Sequence, residues 1–130
     1  MREVFLLILA AAQSFDGTYV GTLACPALPG QTALRTEFSL TVSGSTASYE
    51  RAIVRPGTAG GVYERGRGTV TPAGEVELRG ACEGSFSCTA EYRGQLTGIS
   101  IRLLGTQHWR VRDQDALRDC EIDLVPRPKS

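Results

Sequence analysis

Catalytic chemistry has few candidate residues in this chain, because its 130 residues include a single histidine, His108. A nucleophile activated by an imidazole base would have to use that residue. His108 alternates with Thr106 and Arg110 in a segment of period-2 polarity, which predicts an outward, solvated position on a strand. One histidine also excludes a metal centre built on several imidazoles. We therefore expect no catalytic residue, no metal, no cofactor and no enzymatic activity.

Two other segments resemble ligand-binding motifs only in part. The glycine-rich residues 57–61 lack the Lys-Ser/Thr pair and the following helix of a phosphate-binding loop. The carboxylates of Asp113, Asp115 and Asp119 lack the glycine and the bidentate glutamate that a calcium loop requires. We interpret the first segment as a connection between strands and residues 113–119 as an exposed loop.

The four cysteines, Cys25, Cys82, Cys88 and Cys120, have two possible uses. A zinc site of four thiolates is the first, but the spacing lacks the paired C-x₂₋₄-C knuckles typical of such sites. Disulfide bonds are the second, and they are common in small exported domains. The sequence favours disulfides.

The elements that position these residues are predicted to be β-strands, because apolar and polar residues alternate along most of the chain. The segment from Leu34 to Val42 is the clearest, with its even-numbered residues apolar or Thr and its odd-numbered residues polar. No long window has the 3.6-residue period of a helix. The pattern predicts strands at about 17–25, 34–42, 45–54, 62–71, 74–82, 86–96, 99–111 and 120–125.

Short turns at 43–44, 72–74, 83–87 and 97–98 predict antiparallel hairpins, and each hairpin has a register that matches apolar residues across strands. The expected pairs are Leu40 with Ala47, Phe38 with Tyr49, Val70 with Val76, Gly68 with Leu78, Leu78 with Tyr92, Cys82 with Cys88, Leu96 with Ile99, Tyr92 with Leu103, and Phe86 with Trp109.

An eight-stranded meander of this size is expected to close into a barrel, which brings the first strand beside the last. Leu23 would then lie opposite Ile122, and Gly21 opposite Leu124. This closure predicts the disulfide Cys25–Cys120, and the hairpin that sets Cys82 opposite Cys88 predicts the disulfide Cys82–Cys88. The predicted fold class is all-β, an eight-stranded antiparallel up-and-down meander that forms a small barrel.

Arg51 and Glu64 are charged residues with inward phase, and aligning Tyr49 with Gly66 sets them opposite each other. One interpretation is an ion pair that fills the interior. The other is a pocket at the barrel mouth for a polar or anionic molecule. The candidate ligand-binding residues are Tyr49, Arg51, Glu64, Tyr92, Gln107 and Trp109. The opposite end is expected to be filled by Leu40, Val42, Val70, Val76, Leu96 and Ile99.

The charge balance and an apolar N-terminal segment indicate which partners and which compartment to expect. Lys and Arg total 14 and Asp and Glu total 14, so no net field attracts nucleic acid or an anionic membrane. The apolar residues 4–12 follow Arg2 and are typical of a signal peptide, although an N-terminal strand is an alternative. We predict a signal peptide at 1–12 and one exported domain, periplasmic or secreted, at 13–130. Its charged outer face argues against insertion as a membrane barrel.

Several short runs are similar to a group of small exported bacterial proteins of unknown function. They are Phe15-Asp16-Gly17-Thr18-Tyr19-x-Gly21 leading to Cys25, Gly68-Thr69-Val70-x-x-x-Gly74-x-Val76, Gly105-Thr106-Gln107-x-Trp109, and Arg118-x-Cys120-x-Ile122-x-Leu124. The resemblance covers nearly all of the mature chain and implies an exported barrel. Gly17-Thr18-Tyr19 more distantly resembles the Gly-x-Trp entrance of lipocalin-like barrels. Neither resemblance implies a ligand.

Two functions follow as hypotheses from these features. The first is an exported module that binds a small polar or anionic molecule at the barrel mouth. The second is a protein-interaction barrel, such as an inhibitor of an exported enzyme, that acts through rim loops 26–33, 55–61 and 112–119. Prolines in the first two loops would lower the entropy lost on binding.

Overall fold

The computed structural model describes residues 14–28, 32–53, 62–83, 87–97, 99–111 and 113–128. Their regular elements are all strands, and none of the described residues forms a helix long and apolar enough to span a membrane. The strands are β1 (Gly17–Cys25), β2 (Leu34–Ser43), β3 (Thr46–Ile53), β4 (Val62–Val70), β5 (Glu75–Glu83), β6 (Ser87–Leu96), β7 (Ile101–Val111) and β8 (Gln114–Pro126). The segment predicted to be a signal peptide lies outside the described residues.

The eight strands form a closed barrel in which each strand pairs antiparallel with the next, and β1 pairs with β8. This confirms the predicted fold class. The closing register is also as expected, with Leu23 opposite Ile122 and Gly21 opposite Leu124. Because apolar and polar residues alternate, each strand has one largely apolar face, and the barrel buries these faces in its interior. Pairing of β1 with β8 also leaves no strand edge unpaired.

The two ends of the barrel differ in their connections. Tight turns after β2 and β4 lie at one end, with the β6–β7 connection. The other end, called here the cysteine rim, carries the disulfides Cys25–Cys120 and Cys82–Cys88, both of them predicted pairings. The first disulfide joins β1 to β8 and so covalently secures the closure of the barrel.

The central hairpins have the predicted registers. Val70 lies opposite Val76 and Gly68 opposite Leu78 in the β4–β5 pair, and Leu78 lies opposite Tyr92 in the β5–β6 pair. In the β3–β4 pair, Tyr49 aligns with Gly66 and Arg51 with Glu64.

The β2–β3 register differs from the prediction by two residues. The turn consists of residues 44–45, with Ser43 opposite Thr46, so the predicted pairs Leu40–Ala47 and Phe38–Tyr49 are wrong. Leu40 lies opposite Tyr49, and Val42 opposite Ala47. The reason is the positive φ of Gly44, 62°, which falls at the first loop position, where a type II′ turn requires it.

The β6–β7 register also differs by two residues. Leu96 lies opposite Ile101, Tyr92 opposite Gly105, and Cys88 opposite Trp109, so the predicted pairs Leu96–Ile99, Tyr92–Leu103 and Phe86–Trp109 are wrong. The loop is longer than the predicted 97–98 because Thr97 and Ser100 close it with backbone and hydroxyl hydrogen bonds. Ile99 is therefore 80% exposed at the loop tip, and Ile101 fills the core position expected for it. Phe86 lies outside the described residues.

Strand β8 begins at Gln114 instead of residue 120, so the expected exposed loop over 113–119 is wrong. A turn at Asp113, whose φ is 66°, connects β7 directly to β8. Ala116 then lies opposite Trp109 and Arg118 opposite Gln107. The strand signal was hidden because its inward positions carry a small residue and a charged one instead of large apolar side chains. The third proposed rim loop, 112–119, is therefore mostly strand.

Candidate functional site

The six residues predicted for the barrel mouth lie together inside the barrel toward the cysteine rim, and none is more than 6% exposed. Four strands contribute them, β3, β4, β6 and β7. They hydrogen-bond to one another and to a seventh residue, Arg118 of β8. We call this set the interior network; it consists of Tyr49, Arg51, Glu64, Tyr92, Gln107, Trp109 and Arg118.

Glu64 lies at the centre of the interior network and is fully buried. Its Oε1 accepts a hydrogen bond from Arg51 Nε at 2.9 Å and forms an ion pair with Arg51 Nη2 at 2.8 Å. Its Oε2 accepts hydrogen bonds from the Tyr49 hydroxyl at 2.5 Å and from the Tyr92 hydroxyl at 3.1 Å. Both carboxylate oxygens therefore have donors, which is what a buried carboxylate needs to offset its loss of hydration.

The network continues from Tyr92 to the far side of the barrel through Gln107. The amide nitrogen of Gln107 donates to the Tyr92 hydroxyl at 2.9 Å. Its amide oxygen accepts from Trp109 Nε1 at 2.9 Å and from Arg118 Nε at 3.0 Å. The Arg118 guanidinium also lies 5.6 Å from the centroid of the Trp109 ring, within the range of a cation–π contact.

Arg118 is the member of the network that the sequence analysis missed. It is 5% exposed, whereas the sequence analysis placed it within the exposed loop expected over residues 113–119. Its phase was nevertheless visible in the sequence, because Arg118 alternates with Cys120, Ile122 and Leu124 on the inward face of β8.

Both tyrosines of the network have a raised pKa, and the first cause is their burial. For Tyr49 and for Tyr92, the negative charge of Glu64 adds to the effect, because a tyrosinate would lie against a carboxylate. Arg51 opposes these effects in both cases. The two hydroxyls therefore remain protonated and serve as donors to Glu64.

Arg51 is not fully satisfied by the described residues. Its Nε–H has good hydrogen-bond geometry toward Glu64, whereas Nη2 is buried and lies close to the same oxygen without that geometry. The close Nη2–Oε1 distance is an ionic contact, so the pair is electrostatically favourable. Nη2 is therefore a buried nitrogen without a hydrogen-bond acceptor among the described residues. Arg51 can therefore donate to a further group.

The inward glycines do not leave an empty pocket, because neighbouring atoms pack closely against them. Gly66 and Gly80 lie opposite each other, and a Cβ atom on either would overlap the Tyr49 side chain. At Gly68, Gly94 and Gly105, a Cβ would instead overlap a backbone carbonyl of the neighbouring strand. The space beside the β4–β5 pair is thus occupied by the Tyr49 ring, and the other glycines permit close strand approach.

His108 lies apart from the interior network. His108 faces outward, with Nε2 at 3.2 Å from Asp115 Oδ1. Glu64, Cys82 and Cys88 have ligand atoms close enough to hold a metal ion. The two sulfur atoms are bonded to each other in a disulfide, so they are not available as thiolate ligands.

The end of the barrel near the cysteine rim thus combines buried charges, hydrogen-bond donors and aromatic rings. Comparison of the chain with family models, with curated proteins and with solved structures gives no match.

Proposed function

We propose that the protein is an exported binding module that recognises a small polar or anionic molecule at the cysteine-rim end of its barrel. The observation that carries the proposal is the incomplete satisfaction of Arg51, whose side chain is 4% exposed yet donates one well-formed hydrogen bond. A buried guanidinium group with spare donors is stabilised by an added acceptor, and an oxyanion or a carbonyl supplies one.

The difference between the two ends of the barrel supports this proposal. The end opposite the cysteine rim is packed with apolar residues, among them Leu40, Val42 and Leu96. The network end instead buries charges, although well-packed apolar side chains of similar volume are often as stabilising as a buried ion pair. Contact with a ligand would explain why this end of the barrel has polar residues where apolar ones could pack.

Export of the protein is part of the same proposal. The two disulfides are compatible with an oxidising environment, and the apolar residues 4–12 resemble a signal sequence. The similarity of the motifs to those of small exported barrels points the same way. N-terminal sequencing of protein isolated from its native source should begin near Gln13, and an intact Met1 in cytoplasmic protein would contradict export.

Native mass spectrometry of the exported protein tests the binding proposal. Wild-type protein isolated under gentle conditions should retain a small molecule, and Arg51→Met combined with Glu64→Gln should lose it while remaining folded. Arg93→Gln is a matched control, because Arg93 is an outward arginine that pairs with Glu77 at 3.7 Å. Wild-type protein with no added small mass, or retention by the double variant, would contradict the proposal. A co-purifying protein without a small molecule would instead favour interaction through the rim.

A further inference from the structure

A second polar surface lies on the outside of the barrel, where Tyr49 is the member of the interior network that contributes to its lining. It is an open groove of about 980 Å³ that crosses β2, β3, β4 and β5. Backbone of the inward-facing Gly66, Gly68 and Gly80 is also part of its lining. We call it the outer groove. Three of its side chains are guanidinium groups, those of Arg65, Arg67 and Arg79.

Arg67 and Arg79 lie directly opposite each other in the β4–β5 pair. Like charges in opposite positions repel and destabilise an antiparallel pair. Elsewhere on the outer face, opposite positions carry opposite charges, as in Glu77 with Arg93 and Arg102 with Asp123. The Arg67–Arg79 pair is therefore a local departure from a pattern that otherwise balances charge across the strands.

The neighbouring carboxylates leave one of these arginines without an ion pair. Arg65 lies 3.4 Å from Glu50 and 3.8 Å from Glu83, and Arg79 lies 3.6 Å from Glu91. Arg67 makes no ion pair with any described residue, and on β3 it lies opposite Ser48. An anion beside Arg67 and Arg79 would relieve their repulsion and occupy the donors of Arg67.

The rest of the outer groove indicates what such an anion is attached to. On β2 and β3 the groove is lined by hydroxyl side chains, namely Ser39, Thr41, Thr46 and Ser48. Its described lining includes no outward aromatic or large aliphatic side chain that would favour an apolar ligand. Carboxylates of Glu50 and Glu83 flank the arginines and would repel a long polyanion. The groove therefore suits one anionic group on a hydroxyl-rich body.

We propose that the outer groove binds a small hydroxylated molecule that carries one tetrahedral oxyanion, such as a sugar phosphate or a sugar sulfate. The oxyanion lies between Arg67 and Arg79, and the hydroxyl groups of the ligand exchange hydrogen bonds with the Ser and Thr side chains of β2 and β3. Because this site is outside the barrel, it does not depend on the ligand proposed for the interior network.

Nuclear magnetic resonance titration of the arginine side-chain Nε–H signals tests the proposal on the full exported chain. The probes are glucose 6-phosphate, glucose 6-sulfate and inorganic phosphate, with glucose and sodium chloride at equal ionic strength as references. The signals of Arg67 and Arg79 should shift saturably with both sugar esters and more weakly with inorganic phosphate. The Kd for the esters should rise about tenfold or more in Arg67→Gln, as expected for loss of a charge-assisted contact. It should stay within about twofold in the control Arg93→Gln.

Thermal unfolding gives a second measurement that does not depend on resonance assignment. Removal of the like-charge pair should raise the Tm of Arg67→Gln above wild type, and glucose 6-phosphate should raise the Tm of wild type but not of that variant. Arg51→Met combined with Glu64→Gln should retain the response to the sugar esters. Equal weakening in Arg67→Gln and Arg93→Gln, shifts reproduced by sodium chloride, or a Tm increase in Arg67→Gln with the ester would overturn the proposal.

Discussion

The Tyr49 hydroxyl donates a 2.5 Å hydrogen bond to Glu64, although the residue directly opposite Tyr49 on β4 is Gly66. The bond runs diagonally, from the position of Gly66 toward that of Glu64, and it is possible because a glycine leaves room for the ring to lie across the sheet. Tyr49 thereby fills the space beside Gly66 and Gly80 and also supplies a donor to a buried carboxylate. Packing and charge satisfaction are coupled in this one side chain.

Arg51→Met should destabilise the fold by about 3–5 kcal/mol, because Glu64 would remain buried without its cation. Adding Glu64→Leu should restore part of that loss, but it leaves the hydroxyls of Tyr49 and Tyr92 without their acceptor. Adding Glu64→Gln should restore more, since an amide oxygen still accepts from a tyrosine. Urea unfolding of the three variants measures these differences. Unchanged stability in Arg51→Met would show that its guanidinium group is solvated.

The raised pKa values of Tyr49 and Tyr92 predict alkaline unfolding. In the folded protein both hydroxyls stay protonated, whereas in the unfolded chain they ionise near pH 10, so unfolding releases protons above that pH. Stability should therefore be unaffected by these groups below pH 10. Above it, stability should fall by about 1.4 kcal/mol per pH unit for each tyrosine until its folded pKa is reached.

Tyrosinate absorbance and urea unfolding as functions of pH check this expectation. Tyr49→Phe should lower the stability at neutral pH, because a hydrogen bond to a charged group is lost. It should also make the slope above pH 10 shallower by about 1.4 kcal/mol per pH unit, which is the contribution of one tyrosine. Titration of both tyrosines near pH 10 in protein that is still folded would contradict the buried network.

Gly80→Ala should be destabilising, because the new methyl group would overlap the Tyr49 hydroxyl and lie 2.9 Å from the Arg65 carbonyl oxygen. Part of this cost should disappear in a Tyr49→Phe background, which removes the overlapping hydroxyl. Gly68→Ala is the comparison, since its methyl group would overlap the Glu77 carbonyl and no side-chain change can relieve that contact. A double-mutant cycle should show coupling of Tyr49 to Gly80 and little coupling to Gly68.

Removal of the Cys25–Cys120 disulfide by paired alanine substitutions should cost about 4–5 kcal/mol, because it releases a loop with a sequence separation of 95 residues. Removal of Cys82–Cys88, with a separation of 6, should cost about 2 kcal/mol. Thermal unfolding of the two paired variants compares these costs. A larger loss from the shorter bridge would indicate that it stabilises the network end by more than loop closure.

The side of the barrel on which each residue lies was largely determined by the sequence, because the side-chain period of a strand is two. The β2–β3 and β6–β7 registers were each wrong by two residues, yet a shift of two returns every side chain to the same face. Arg51, Glu64, Gln107 and Trp109 were therefore expected inside the barrel, and they are inside. The Cys25–Cys120 disulfide followed from closure of the barrel, and the Cys82–Cys88 disulfide followed from the register of one hairpin.

Registers, loop lengths and contacts between distant strands were decided by the tertiary structure. The phase of a strand does not say which of two equivalent registers a turn will select, and that choice depended on the positive φ of Gly44 and on the Thr97–Ser100 loop. The phase of β8 turns Arg118 inward, but its acceptor, Gln107 on β7, is a partner that no local pattern identifies. Alternation specifies the face of a residue, but only the closed barrel specifies the partner that makes a buried charge stable.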